Sequence, residues 1–214
     1  MKAVEDARLY LVATSRLKAG RLAELVPDLV GAGVDLVQLR EKELDGDRVL
    51  ELGAEVRDAC RAAGVPFVIN DRPDIALALS CGVHLGQDDV PADLARRILG
   101  DATIGRSTHS REQLSAELAA TPRPNYVAVG PVFATPTKPG RPSTGLELIR
   151  FAAETALGLP WFAIGGINET NLDEVMGAGA RRVVVVRAIT ESDDPVAATA
   201  RLKHQLEGVP LKAR

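Results

Sequence analysis

Eight times along its 214 residues the chain sets a short apolar, often β-branched run before a longer amphipathic segment. The runs fall at 8–13, 36–40, 66–70, 83–85, 103–107, 126–129, 161–164 and 182–186. Helical patterning fills 21–32, 47–63, 74–79, 91–99, 111–119, 146–155, 171–178 and 195–206. Strict strand–helix alternation predicts a parallel sheet with right-handed crossovers. Eight such units predict a closed (β/α)₈ barrel, an α/β fold. An open doubly wound sheet is the alternative, but no G-x-G-x-x-G follows the first run. Gly33 and Gly64 stand where helices should stop, and Pro91 stands as at a first helical turn. Between 131 and 144 four prolines and a glycine predict a loop. No linker divides the chain, so 1–214 reads as one domain, with 207–214 a tail free to fray.

Composition narrows the function classes. Apolar residues make up 46 % and aromatics 3 %, so the core should be mainly aliphatic, as buried parallel strands require. A net charge of -3 gives no bulk attraction to nucleic acid or an anionic membrane. Cys60 and Cys81 lack metal-type spacing and read as free thiols of a reducing compartment. Residues 1–8 carry no signal-peptide pattern, and no apolar run reaches bilayer length. The expectation is a cytoplasmic protein acting on small molecules.

A barrel of this kind carries its chemistry at the C-terminal ends of its strands. There the sequence places Gln38-Leu39-Arg40-Glu41-Lys42, Asn70-Asp71-Arg72, His84-Leu85-Gly86-Gln87-Asp88-Asp89 and Ser107-Thr108-His109. Thr135-Pro136-Thr137-Lys138, Gly165-Gly166-Ile167 and Val186-Arg187 complete the set. Gln38, Arg40 and Lys42 share one face by the two-residue period, and two cations facing inward call for an anionic ligand. Asp71 and Asp89 could each cap a helix. Set at neighbouring strand ends beside an anion pocket, they instead suit Mg²⁺, which takes one or two carboxylates plus phosphate oxygens and water. His84 and His109 could be packed core imidazoles, and spacing gives neither a Ser or Cys partner for a nucleophilic triad. Gly165-Gly166 after the seventh run suits a main-chain phosphate site, and 135–138 suit a lid.

Taken in order, these segments resemble the thiamine phosphate synthase family. Ile69-Asn70-Asp71-Arg72, Gly82 to Asp89, Ile104-Gly105 with Ser107 to Ser110, Gly130-Pro131-Val132-Phe133 into Thr135 to Lys138, Ala163 to Ile167, and Val186 before Ala188-Ile189-Thr190 join the 38–42 segment in carrying the likeness. The resemblance implies a Mg²⁺-dependent transferase on a (β/α)₈ barrel. It joins 4-amino-2-methyl-5-(diphosphooxymethyl)pyrimidine to a thiazole phosphate and releases pyrophosphate, with CO₂ where the thiazole is carboxylated. It implies that Gln38, Leu39, Arg40, Glu41, Lys42, Asn70, Ser107 and Lys138 hold the pyrimidine diphosphate, with His84 and Gln87 in support. Arg40, Lys42, Ser107 and Lys138 would be catalytic, and Asp71 and Asp89 would hold Mg²⁺. Thr135, Pro136, Thr137, Gly165, Gly166, Val186 and position 187 would hold the thiazole phosphate. The family pattern has Ser at position 187, where this chain has Arg187. Bond breaking ahead of bond making, through a pyrimidine cation, is the family picture. A thiazole tautomerase on the same barrel would not need two acidic residues with three cations. A non-catalytic regulatory barrel should show a damaged diphosphate site.

Overall fold

The computed structural model describes residues 3–135, 142–156 and 158–208. The strands are β1 (Leu9–Ala13), β2 (Leu36–Leu39), β3 (Phe67–Asn70), β4 (Gly82–Leu85), β5 (Ile104–Thr108), β6 (Tyr126–Val129), β7 (Trp161–Ile164) and β8 (Val183–Val185). Each pairs in parallel with its sequence neighbours, and β1 pairs with β8, so the sheet closes. The helices are α1 (Leu22–Gly31), α2 (Gly46–Ala63), α3 (Pro73–Leu79), α4 (Ala92–Leu99), α5 (Arg111–Ala119), α6 (Gly145–Thr155) and α7 (Leu172–Gly177), then the four-residue α8 (Arg187–Thr190) and α9 (Pro195–Glu207). Among the described residues no helix is long and apolar enough to cross a membrane.

Every expected strand and helix is present, with no end moved by more than one residue. Gly33 and Gly64 follow α1 and α2 at positive φ, where glycine has no Cβ penalty. Pro91 is the N-cap of α4 rather than a first-turn residue. Three short elements were not legible: α8, a 3₁₀ turn at Val4–Asp6, and a hairpin pairing Arg16–Leu17 with Gly20–Arg21. Glu207 is the last residue of α9 rather than part of a frayed tail, and 209–214 lie outside the described residues.

Both faces of the sheet are buried, which is why the strands read as nearly continuous apolar runs. Leu9, Leu11 and Ala13 of β1 pack outward in the layer shared with the helices. Tyr10 and Val12 point into the barrel with Leu36, Val68, Tyr126, Phe162 and Val184. The mainly aliphatic expectation therefore holds for the outer layer but not for the barrel's centre. There Tyr10, Tyr126 and Phe162 meet edge to face at centroid distances of 5.4, 5.5 and 5.7 Å. Gly105 makes room for them: a Cβ there would lie 2.1 Å from the Tyr126 ring.

The barrel is tied at its N-terminal end by Asp35, which is 1 % exposed. Its Oδ2 accepts from the main-chain N–H of Arg8 at 2.8 Å and of Leu9 at 3.0 Å. Lys203 of α9 donates to both carboxylate oxygens, at 2.9 and 3.1 Å. One carboxylate thus joins the entry to β1, the entry to β2 and the last helix.

Candidate active site at the C-terminal rim

A cavity of about 450 Å³ opens at the C-terminal ends of the strands. Its floor is a chain of polar groups crossing the barrel. Gln38 Nε2 donates to the Tyr10 hydroxyl. That hydroxyl lies 2.9 Å from the Tyr126 hydroxyl, which lies 3.0 Å from His84 Nδ1. His84 Nε2 lies 2.9 Å from Ser107 Oγ. Burial raises the pKa of Tyr126 and of Tyr10, so both phenols stay neutral. One proton order satisfies the whole chain: Gln38 to Tyr10, Tyr10 to Tyr126, Tyr126 to Nδ1, and Nε2–H to Ser107. In that order the Ser107 hydroxyl keeps its own proton to give to a ligand above it.

Tyr10 and Tyr126 were not singled out from the sequence as site residues. They are the chain's only two tyrosines, and each has an inward-facing position on its strand. A polar aromatic at such a position needs a partner for its hydroxyl, and that was the available signal.

One wall carries the acidic pair. Asp71 follows β3 with φ 63, a left-handed backbone uncommon for any residue but glycine, though less so for Asp and Asn. Its main-chain N–H donates to the His84 carbonyl at 2.8 Å, and its Oδ2 lies 2.8 Å from Lys42 Nζ. The Asp71 and Asp89 carboxyls are within hydrogen-bonding reach of each other. Burial acts to raise Asp71, but hydrogen bonds from Asp89 and Lys42 outweigh it and hold the group below the usual carboxylate range. Burial and then the Asp71 carboxylate push Asp89 up. The two carboxyls thus oppose each other's ionisation, as neighbouring like charges do. Neither acid caps a helix: the N-caps of α3 and α4 are Arg72 and Pro91, without side-chain capping bonds.

This donor set fits Mg²⁺. The candidate ligands are hard carboxylate oxygens, and no third His, Cys, Asp or Glu joins them among the described residues. Two protein ligands leave the remaining positions to phosphate oxygens and water, which is how Mg²⁺ is commonly held.

The expected contact block at 38–42 divides. Gln38, Arg40, Asn70, His84 and Ser107 line the cavity. Lys42 reaches the site through its ion pair with Asp71 rather than by lining the cavity. The shared face assumed for Gln38, Arg40 and Lys42 stops early because β2 ends at Leu39 and the chain bends from residue 42. Leu39 has its side chain in the outer layer, near Gly53 of α2. Glu41 accepts from the Ser15 main-chain N–H at 2.6 Å and so ties down the β1 loop. Gln87 Nε2 donates to the Ser107 carbonyl at 2.6 Å. Their side chains support the wall instead of facing the cavity.

The opposite wall is main chain. Gly165 and Gly166 follow β7 at φ 109 and 67. A Cβ on Gly165 would come within 2.5 Å of Pro131, and one on Gly166 within 2.9 Å of Phe133. Asn171 Nδ2 holds the Gly166 carbonyl at 2.9 Å. Val186 caps the short α8, and Thr135 lies at the cavity edge. The Arg187 guanidinium, about half exposed, pairs with Glu191 one turn on, at 2.8 Å. Pro136, Thr137 and Lys138 lie outside the described residues.

A glycine turn after strand seven, a short helix after strand eight and an acid pair beside cations at the mouth define a class: (β/α)₈-barrel enzymes that handle phosphorylated small molecules. Residues 9–189 match the family model described as thiamine monophosphate synthase, and the chain belongs to that family and is a transferase. It is 53 % identical over 209 residues to a thiamine-phosphate synthase of Acidothermus cellulolyticus, covering 96 % of this chain and 98 % of that one. It is 52 % identical to the thiamine-phosphate synthase of Thermobifida fusca, over 96 % of this chain and 94 % of that one. Among solved structures, thiamine phosphate pyrophosphorylase from Pyrococcus furiosus superposes with a TM-score of 0.86 at 32 % identity, covering 96 % of this chain and 98 % of that one.

Proposed function

We propose that this chain transfers the 4-amino-2-methylpyrimidin-5-ylmethyl group from its diphosphate to the ring nitrogen of a thiazole phosphate, releasing pyrophosphate. A carboxylated thiazole would lose CO₂ as well. The observation that carries this reading is the Asp71–Asp89 pair in contact beside Lys42 and Arg40 at the mouth of the cavity. An acid pair flanked by cations is suited to a polyanion that arrives with a divalent metal.

Asp71 and Asp89 would hold Mg²⁺, and a bound Mg²⁺ would supply charge stabilisation to the departing diphosphate. Arg40 and Lys42 add fixed positive charge on the same wall, and Lys138 would add a third by family resemblance. Gln38, Asn70, His84 and Ser107 orient the pyrimidine. Tyr126 and Ser107 each meet one His84 ring nitrogen, so the imidazole is fixed in place beneath the pyrimidine. Thr135, Pro136, Thr137, the Gly165-Gly166 turn and Val186–Arg187 would receive the thiazole phosphate, chiefly on main-chain N–H groups.

The C–O bond to the diphosphate breaks first, and its electron pair leaves on pyrophosphate. The methylene carbon becomes a cation stabilised by the ring's 4-amino group. The thiazole nitrogen lone pair then forms the C–N bond, with its approach set by the opposite wall. No proton moves in bond formation, so no base is required. Two phosphorylated substrates and two free thiols suit the cytoplasm.

Both substrates with Mg²⁺ are expected to give thiamine phosphate and pyrophosphate in equal amounts, and either substrate alone neither product. Conversion of a thiazole phosphate to an isomer without pyrophosphate would identify a tautomerase. Tight binding without turnover would identify a regulatory barrel.

A further inference from the structure

Arg106 is a buried charge that the proposed reaction leaves unused. It sits on β5 between Gly105 and Ser107, which face the barrel interior. Its own side chain therefore points outward between sheet and helices, only 7 % exposed. Nε donates to Glu117 of α5 at 3.0 Å, and Nη1 donates to the Gly86 carbonyl at 2.5 Å.

Gly86 is held from its other side too. Its N–H donates to Asp89 Oδ2 at 2.7 Å, and a Cβ on Gly86 would lie 2.8 Å from that same oxygen. The two peptide groups flanking one Cα are thus fixed in opposite directions, one by a buried guanidinium and one by the Asp89 carboxylate. Gln87, bonded to the Ser107 carbonyl, pins the next residue to the same strand. We infer that Arg106, held by Glu117, is a positioning residue that sets the Gly86–Asp89 turn and so aims the Asp89 carboxylate at Asp71. This rests on the reading of Asp71 and Asp89 as the cation site.

Stability alone does not call for the pair. A buried ion pair is commonly matched by apolar side chains of similar volume, because desolvation offsets the attraction. What Met and Leu cannot supply is a directed donor for the Gly86 carbonyl. The planar guanidinium reaches that carbonyl and the Glu117 carboxylate from one rigid fork, which a lysine ammonium cannot reproduce. Groups that orient a metal's ligands are typically worth about ten- to hundredfold in metal affinity.

The test uses Mn²⁺ alone as the probe, with binding to the purified protein followed by electron paramagnetic resonance. The variants are Arg106→Met/Glu117→Leu, which leaves no orphaned charge, and Arg106→Lys, which keeps the charge beside Glu117 but not the fork. Asp89→Asn is the reference. The double variant is expected to melt within about 3 °C of wild type while its Mn²⁺ dissociation constant rises about ten- to hundredfold. Arg106→Lys is expected to weaken Mn²⁺ in the same direction, and it carries the test should the double variant not fold. Wild-type Mn²⁺ affinity in the folded variants, with Asp89→Asn impaired, would overturn the positioning role and leave the cation site standing. Wild-type affinity in Asp89→Asn would overturn both.

Discussion

Asp71→Asn and Asp89→Asn are each expected to lower turnover by at least about a hundredfold while leaving the barrel folded. Each exchange removes the charge of a proposed ligand but keeps the side chain's shape. At Asp71 it also respects the backbone, since Asn tolerates a φ of 63 as well as Asp does. The acids touch each other, so removing one charge also relieves repulsion that a metal-free protein carries. The melting temperature without divalent cation should therefore hold steady or rise, while the Mg²⁺ needed for half-maximal activity rises. Pyrophosphate release titrated with Mg²⁺ reads this directly. Wild-type Mg²⁺ dependence in both variants would remove Asp71 and Asp89 from the metal site.

The second large effect belongs to the far end of the barrel. Asp35→Ala is expected to cost about 3–5 kcal/mol, because it leaves the Lys203 ammonium and two main-chain N–H groups without their acceptor. For a chain of this size that is a fall in melting temperature of roughly 10 °C. Asp35→Asn keeps an acceptor oxygen for the two N–H groups and should cost less. The site lies at the opposite ends of the strands, so the Michaelis constants of the folded fraction should stay near wild type. Urea unfolding measures the difference, and a loss below about 1 kcal/mol would show that the rest of the barrel closes without this clamp.

The barrel was legible because a period-two sheet buried on both faces leaves an unmistakable apolar run, and eight such runs allow few topologies. The rim was legible for the same reason: once strand ends are known, the residues after them are known. What the sequence hid were contacts set by tertiary geometry. β2 stops at Leu39, so the two-residue period that seemed to carry Lys42 inward ends before it. Glu41 and Gln87 look like ligands in a motif, yet their polar atoms bind main chain contributed by distant residues. Tyr10 and Tyr126 are 116 residues apart and meet only because inward side chains of β1 and β6 converge at the barrel's centre. Four residues are too few to show helical periodicity, so α8 could not be separated from the loop after β8.

In the proposed reaction catalysis is charge support for a departing diphosphate, and one measurement bears on that most directly. Under single-turnover conditions, the pyrimidine diphosphate with its 2-methyl group replaced by trifluoromethyl should react at least about a hundredfold more slowly than the methyl substrate, equivalent to about 2.7 kcal/mol of lost cation stabilisation. Its binding should change far less, because the diphosphate contacts proposed at Arg40, Lys42, Asp71 and Asp89 would be unaltered. A chemical step within a few-fold of the methyl substrate would contradict the dissociative order and point to direct displacement by the thiazole nitrogen.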